Sequence, residues 1–239
     1  MTCQTFSPLR APLQSFQSST GRLNKKQAVL FLFVTGIRKI RPSIAVRDRP
    51  DRRSELLTDS MEARVRRLED RCDIGELVTR YCLAMDDRDV EEIPRLFTPD
   101  ASVRSLDGVM DARGRDAVVK MFLGRFAVLG PSNHVTHDRI VRFDEANPDL
   151  AQGIVLSHAE MQRKGQPMVT AIRYLDHYRR DAGAWRFAER VLTFMYYVPT
   201  AEYLDAFGPG IDKRMRAYEN PAPADWPENL PTWRSYYGR

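Results

Sequence analysis

Apolar residues first settle into a regular period at Met61. Val65, Leu68, Cys72, Leu77, Val78, Tyr81, Cys82 and Met85 recur at three- and four-residue steps. This is the stripe of an amphipathic helix, and it predicts a helix from Met61 to about Asp86–Asp87. Asp89 is suited to cap a second short helix over Val90–Phe97, which Pro94 would kink or split. Pro99–Asp100 turns the chain into a short strand, Ala101–Leu106. A third helix is predicted from about Gly114 to Leu129, with Val118, Val119, Phe122 and Phe126 on its buried side.

Beyond Gly130–Pro131 the period shifts toward two. His134–Phe143, Gln152–Arg163, Pro167–Arg180 and Trp185–Tyr197 read as four long strands. Asn147–Pro148, Lys164–Gly165 and Asp181–Ala182–Gly183 supply the turns between them. Three helices followed by a meander of long strands define an α+β class, with the helices on one face of a curved, mixed or antiparallel sheet. No internal repeat is visible. From Pro199 the texture changes again, with six of the fifteen prolines in the last 41 residues and Trp226, Trp233, Tyr236 and Tyr237 among them. This predicts an irregular strap, residues 199–239, lying over its own domain or a neighbouring subunit.

Charge divides the chain in the same place as the periodicity. Residues 1–60 hold 11 Lys/Arg and 4 Asp/Glu, and residues 61–239 hold 26 and 28. The overall charge of +5 therefore belongs to the leader and argues weakly for nucleic-acid binding. Residues 1–60 lack a sustained period and read as a disordered basic extension. Their longest apolar run, Ala28–Ile37, is too short to span a bilayer. The expectation is a cytoplasmic protein with neither membrane nor nucleic-acid partner. Only Cys3, Cys72 and Cys82 occur, and the last two stand roughly 15 Å apart along one predicted helix, too far to bridge. A reducing compartment follows as the simplest reading.

Phosphate-cradling glycine loops, dinucleotide fingerprints, paired CxxC and HExxH motifs are all missing from the sequence. His134 and His137 sit three apart in a strand, on opposite faces, which is poor spacing for chelation. No metal and no cofactor are expected. The chemically informative residues are dispersed: Tyr81 and Asp86 near the end of the first helix, Asn133 and His134 opening the first long strand, His158 and Glu160 on the next, and Arg190 on the last. A sheet curling under the helices could bring them together for general acid–base chemistry. Each also has an ordinary reading. Asp86 can end its helix, Tyr81 can be a core aromatic, and His134, His158 and Arg190 can make surface or cross-strand contacts.

The segment Asp73–Ala101 (DIGELVTRYCLAMDDRDVEEIPRLFTPDA) resembles the opening of SnoaL-like proteins of the nuclear-transport-factor-2-like superfamily. Gly114–Ala117 (GRDA) resembles the start of that family's third helix. Arg173–Arg180 (RYLDHYRR) and Trp185–Val191 (WRFAERV) resemble its C-terminal hairpin. The resemblance covers about residues 61–198 and implies a cone-like α+β barrel. Within the superfamily the pattern is most similar to the cofactor-free lyases scytalone dehydratase, hexachlorocyclohexane dehydrochlorinase and bile-acid 7α-dehydratase. It implies that Asp86 supports a histidine base, that Arg190 assists a leaving group and that Tyr81 binds a substrate oxygen. His158 falls near a second catalytic histidine of the group.

Aligned without a gap, the family's histidine falls on Asn133, whereas a one-residue bulge places His134 there. The expected assignment is His134 as base, with Asn133 and His158 binding substrate. The function so implied is a cofactor-independent lyase (dehydratase, dehydrohalogenase or formaldehyde-releasing) acting on a small hydrophobic, aromatic or cyclic molecule. A ketosteroid-isomerase-like isomerase and a non-catalytic ligand-binding module are the alternatives. A homotrimer or homodimer is expected, because the open sheet of this fold usually buries a face against a partner.

Overall fold

The computed structural model describes residues 60–208 and 210–238. The expected basic extension, apart from Ser60, lies outside the described residues.

Helix α1, Met61–Asp86, begins where Ser60 Oγ accepts the Ala63 N–H at 3.2 Å. Such a cap satisfies one of the orphan donors of a helix start. Its buried face starts at Asp70 and continues through Ile74, Leu77, Val78, Tyr81, Cys82 and Met85. Val65, Leu68 and Cys72, expected on that face, are instead exposed. The first turns of α1 carry the correct period but meet none of the core, so the stripe buries nothing there.

The second helix, α2, is shorter than expected and covers only Ile93–Leu96. Asp89 Oδ1 accepts the Glu92 N–H at 3.0 Å, holding residues 89–92 as a turn. Pro94 sits in the first turn of α2, where its missing N–H costs nothing.

Strand β1, Phe97–Ser105, follows directly, then β2, Asp111–Arg113, and α3, Arg115–Phe126. Four long strands complete the domain: β3, Leu129–Phe143; β4, Leu150–Arg163; β5, Gln166–Asp181; and β6, Ala184–Pro199. Three residues of β2 are too few to show a period of two, so the pattern missed it. Strand β3 begins five residues earlier than expected. Pro131 is tolerated within it because β3 lies at the sheet edge, where a missing donor breaks no ladder on the open side.

The strand order is β2-β1-β6-β5-β4-β3, with only the β1–β6 pair parallel. The sheet is mixed and curved but does not close, since β2 and β3 remain its two edges. Two hairpins use turns with both central residues in the left-handed region. Lys164 and Gly165 (φ 48° and 82°) join β4 to β5, and Ala182 and Gly183 (φ 49° and 81°) join β5 to β6. Those turns match the right-handed strand twist.

Helices α1 and α3 cover one face of the sheet. The core there joins Ile74, Leu77 and Tyr81 of α1 to Phe122 of α3 and to Tyr174 and Phe187 of the strands. Residues after β6 pack on the same chain: a 3₁₀ helix spans Thr200–Phe207 and helix α4 spans Pro231–Tyr237. Met215 is fully buried, and Arg214 and Arg216 hydrogen-bond to both backbone groups of Tyr197. Ala206 and Trp226 join Ala171, Tyr196 and Val198 in a second, smaller cluster.

Among the described residues one ion pair in the core has no exposure. Arg190 on β6 donates to both carboxylate oxygens of Asp176 on β5, at 2.9 and 2.8 Å. The two residues are direct cross-strand partners. Tyr178 adds its hydroxyl to Asp176 at 2.8 Å, and the guanidinium lies over the rings of Tyr81, Tyr174 and Phe187 at 4.0–4.2 Å. Removing one partner of such a pair strands a buried charge. Asp176→Ala is expected to lower the unfolding free energy by about 3–5 kcal/mol in urea titration. A loss below about 1 kcal/mol would contradict that role.

Asp225 ties the C-terminal segment to β6. It accepts the Phe194 N–H at 2.8 Å and donates its own N–H to the Phe194 carbonyl. Burial, with Asp107 nearby, pushes its carboxyl up to about 6. The unfolded group ionises near 4, so the folded state holds the proton longer and stability falls as pH rises from about 4 to about 6. Melting curves of wild type and Asp225→Asn should converge at the acid end of that window and separate at the neutral end. A difference that ignores pH would contradict the assignment.

Candidate active site

The last residue of α1 faces the start of β3. Asp86 Oδ1 lies 2.6 Å from His134 Nδ1 and accepts the Ser132 hydroxyl at 2.7 Å. Asp86 Oδ2 accepts the His134 backbone N–H, also at 2.7 Å. Burial alone would raise this carboxyl. The hydrogen bonds and charge of His134, with Ser132, outweigh burial and hold it below the ordinary carboxylate range. Both side chains are about 15% exposed, so solvent screens the pair poorly.

A bulge decides which residue reaches Asp86. Between Leu129 and Ser132, β3 advances three residues while β4 advances two, from Arg163 to Met161. The extra residue shifts the alternation of faces. His134 consequently points toward α1, and Asn133 and Val135 line a groove elsewhere.

Arg88 holds the junction together. It sits at φ 60°, a left-handed conformation uncommon outside glycine. Its guanidinium donates to the carbonyls of Met85 and Gly130 and, at 3.1 Å, to Ser132 Oγ. It also lies 4.5 Å from the centre of the Phe126 ring. Sequence reasoning missed this residue, because nothing in the run Asp86–Asp89 marks one member as a clamp.

His134 forms part of the wall of a narrow cavity of about 60 Å³. Tyr81, Tyr174, Phe122 and Phe126 surround it, with Arg88 and Arg125 contributing the charge. Burial pushes the Tyr81 phenol up to about 12, and Arg190 recovers part of that shift. Tyr81 is therefore a hydrogen-bond donor at neutral pH.

Arg190 does not line this cavity, contrary to its expected place beside a departing group. It rests on the faces of Tyr81 and Tyr174, with both of its bonded nitrogens committed to Asp176. Burial alone would lower its pKa, but Asp176 more than offsets that and holds it above the ordinary range.

Asn133 and His158 also fail to join Asp86. They line a separate open groove of about 790 Å³, with Tyr196 and Tyr203. There His158 Nδ1 lies 2.7 Å from His137 Nε2, and burial together with His137 depresses its pKa. The reason is register: His158 pairs with Val135, not with His134, and shares its face. Among the described residues no group of three or more His, Cys, Asp or Glu is placed to hold a metal. Nor is any described helix long and apolar enough to cross a membrane.

The sequence profile of the SnoaL-like domain matches residues 66–191, and the chain belongs to that family. Uncharacterised proteins of Mycobacterium tuberculosis and Mycobacterium bovis are 31% identical over 138 residues, covering 54% of this chain and 88% of theirs. Among solved structures, the hexachlorocyclohexane dehydrochlorinase LinA superposes with a TM-score of 0.53 at 21% identity, covering 56% of this chain and 92% of LinA. A scytalone-dehydratase-like protein of Novosphingobium aromaticivorans gives 0.51 at 21% identity, over 56% of this chain and 89% of that one. At these identities the structures establish the nuclear-transport-factor-2-like fold, which hosts enzymes and binding modules alike.

Proposed function

We propose that the protein is a cofactor-independent lyase for a small aromatic or cyclic molecule. The observation that carries this reading is the Asp86–His134 pair, whose imidazole is on the wall of a cavity lined mainly by aromatic and aliphatic side chains. With Nδ1 engaged by Asp86, Nε2 is the ring nitrogen left to act as a base. It would take a proton from a carbon of the substrate. The C–H electron pair becomes the new C=C bond, and the bond to the leaving group on the neighbouring carbon breaks with its electrons. Asp86 balances the charge of the imidazolium, and the protonated Tyr81 hydroxyl donates to an oxygen of the substrate. Arg190 would act only through the Tyr81 and Tyr174 rings. The dehydrochlorinase and dehydratase names of the structural neighbours support elimination as the reaction class.

The narrowness of the cavity favours one second reading, in which the pocket holds a small ligand without turning it over. A panel of aromatic and cyclic halides and alcohols, followed by mass spectrometry, separates the two. Under the lyase reading Asp86→Asn and His134→Ala each lose about 10²–10⁴-fold in rate. Their combination should cost far less than the product of the two, because the residues act as a unit. Turnover that survives both substitutions would overturn the mechanism. Saturable binding of panel members without product would establish the second reading.

A further inference from the structure

We propose that Arg125 selects the ligand of this cavity by pairing with a carboxylate on it. The inference deepens the lyase reading and rests on the same site. Helix α3 places Phe122 against the core, and steps of three and four residues bring Arg125 and Phe126 to the same side. All three residues line the cavity.

The charges along this wall are unbalanced. Two guanidinium groups, Arg88 and Arg125, contribute to it, and no Asp or Glu side chain does. Asp86 stands behind, already committed to His134 and Ser132. Arg88 is satisfied by three oxygens of the protein. Arg190, the cation expected to meet the ligand, is closed off by Asp176. The Arg125 side chain alone of the three makes no hydrogen bond or ion pair with any of the described residues.

Its surroundings are apolar and partly closed. Arg125 is half-buried, and its charge reaches the hydroxyls of Tyr81, Tyr197 and Tyr218. Burial raises all three phenols, and Arg125 works against that rise in each. A half-buried guanidinium without an acceptor among the described residues gains from an anion that enters with the ligand. The planar fork of arginine matches the two oxygens of a carboxylate. His134 and Tyr81 line the same cavity, so a carboxylate on Arg125 would anchor one end of a substrate while its reacting carbon faces the imidazole.

Equilibrium binding of a matched pair small enough for the narrow cavity, acetate and acetamide, tests this without reference to turnover. Wild type should prefer acetate by roughly tenfold or more, as expected for a charge-assisted hydrogen bond. The preference should vanish in Arg125→Gln and be reduced in Arg125→Lys, which keeps the charge but not the fork. Higher ionic strength should weaken acetate but not acetamide in wild type, a readout that needs no variant. Equal binding of the pair by wild type, no binding of acetate, or an unchanged preference in Arg125→Gln would each overturn the assignment. If turnover depends on Asp86 and His134 while any of these is found, the lyase reading stands and the role of Arg125 falls. If the preference holds but turnover survives loss of the pair, the reverse applies.

Discussion

A buried charge with one partner organises this domain. Arg190 and Asp176 face each other across β5 and β6 with no exposure, so each requires the other to be in register. Slipping either strand by one residue would turn one charge toward the opposite face and leave the other unpaired in the core. Such a pair adds less net stability than its Coulomb attraction suggests, because both ions lose their hydration. Its consequence here is positional. The guanidinium forms a platform for Tyr81 from α1 and for Tyr174 and Phe187 from the sheet. Tyr81 in turn packs edge-on against Phe97, Phe122, Tyr174 and Phe187, drawing α1, α3 and three strands to one point.

About one and a half turns of helix separate Tyr81 from Asp86, so the platform sets where the carboxylate emerges. From there the site is built by satisfaction of polar groups. Asp86 accepts hydrogen bonds from one backbone N–H, one hydroxyl and one imidazole of β3. Arg88 returns donors to carbonyls at both the helix end and the strand start. The carboxylate and the imidazole therefore hold their geometry before any ligand enters, which is what proton transfer at a fixed distance requires. The Arg125 side chain has no such partner among the described residues. The two arginines of the cavity thus have different jobs, one holding the frame and the other facing the ligand.

Much of the fold was legible because long amphipathic segments carry their period in sequence. The end of α1, the core of α3 and three of the four long strands fall within two or three residues of their expected bounds, and β3 departs only at its start. The features that escaped were those set by tertiary contact. Val65, Leu68 and Cys72 keep the helical period, yet the core does not reach them. The strand β2 has too few residues to display a pattern. At the site, Asp86 and His134 were visible as residue types at a helix end and a strand start, and their meeting depended on the bulge in β3. His158 and Asn133 looked equally suitable and lie elsewhere, since one residue of register reverses a face. Arg190 was expected at the ligand, and its partner Asp176 could not be inferred from local spacing. Arg88 and Arg125 look in sequence like any other charged residues on a helix and a turn.

The central claim is that Asp86 fixes the His134 imidazole with its basic nitrogen toward the cavity. Nitrogen-15 NMR of the histidine side chains, assigned by comparison with His134→Ala, measures this directly. Neutral His134 should carry its proton on Nδ1, with the chemical shift of an unprotonated Nε2, and Asp86→Asn should abolish that preference. A neutral ring protonated on Nε2 in the wild-type protein would place a donor rather than a base at the cavity and contradict the account.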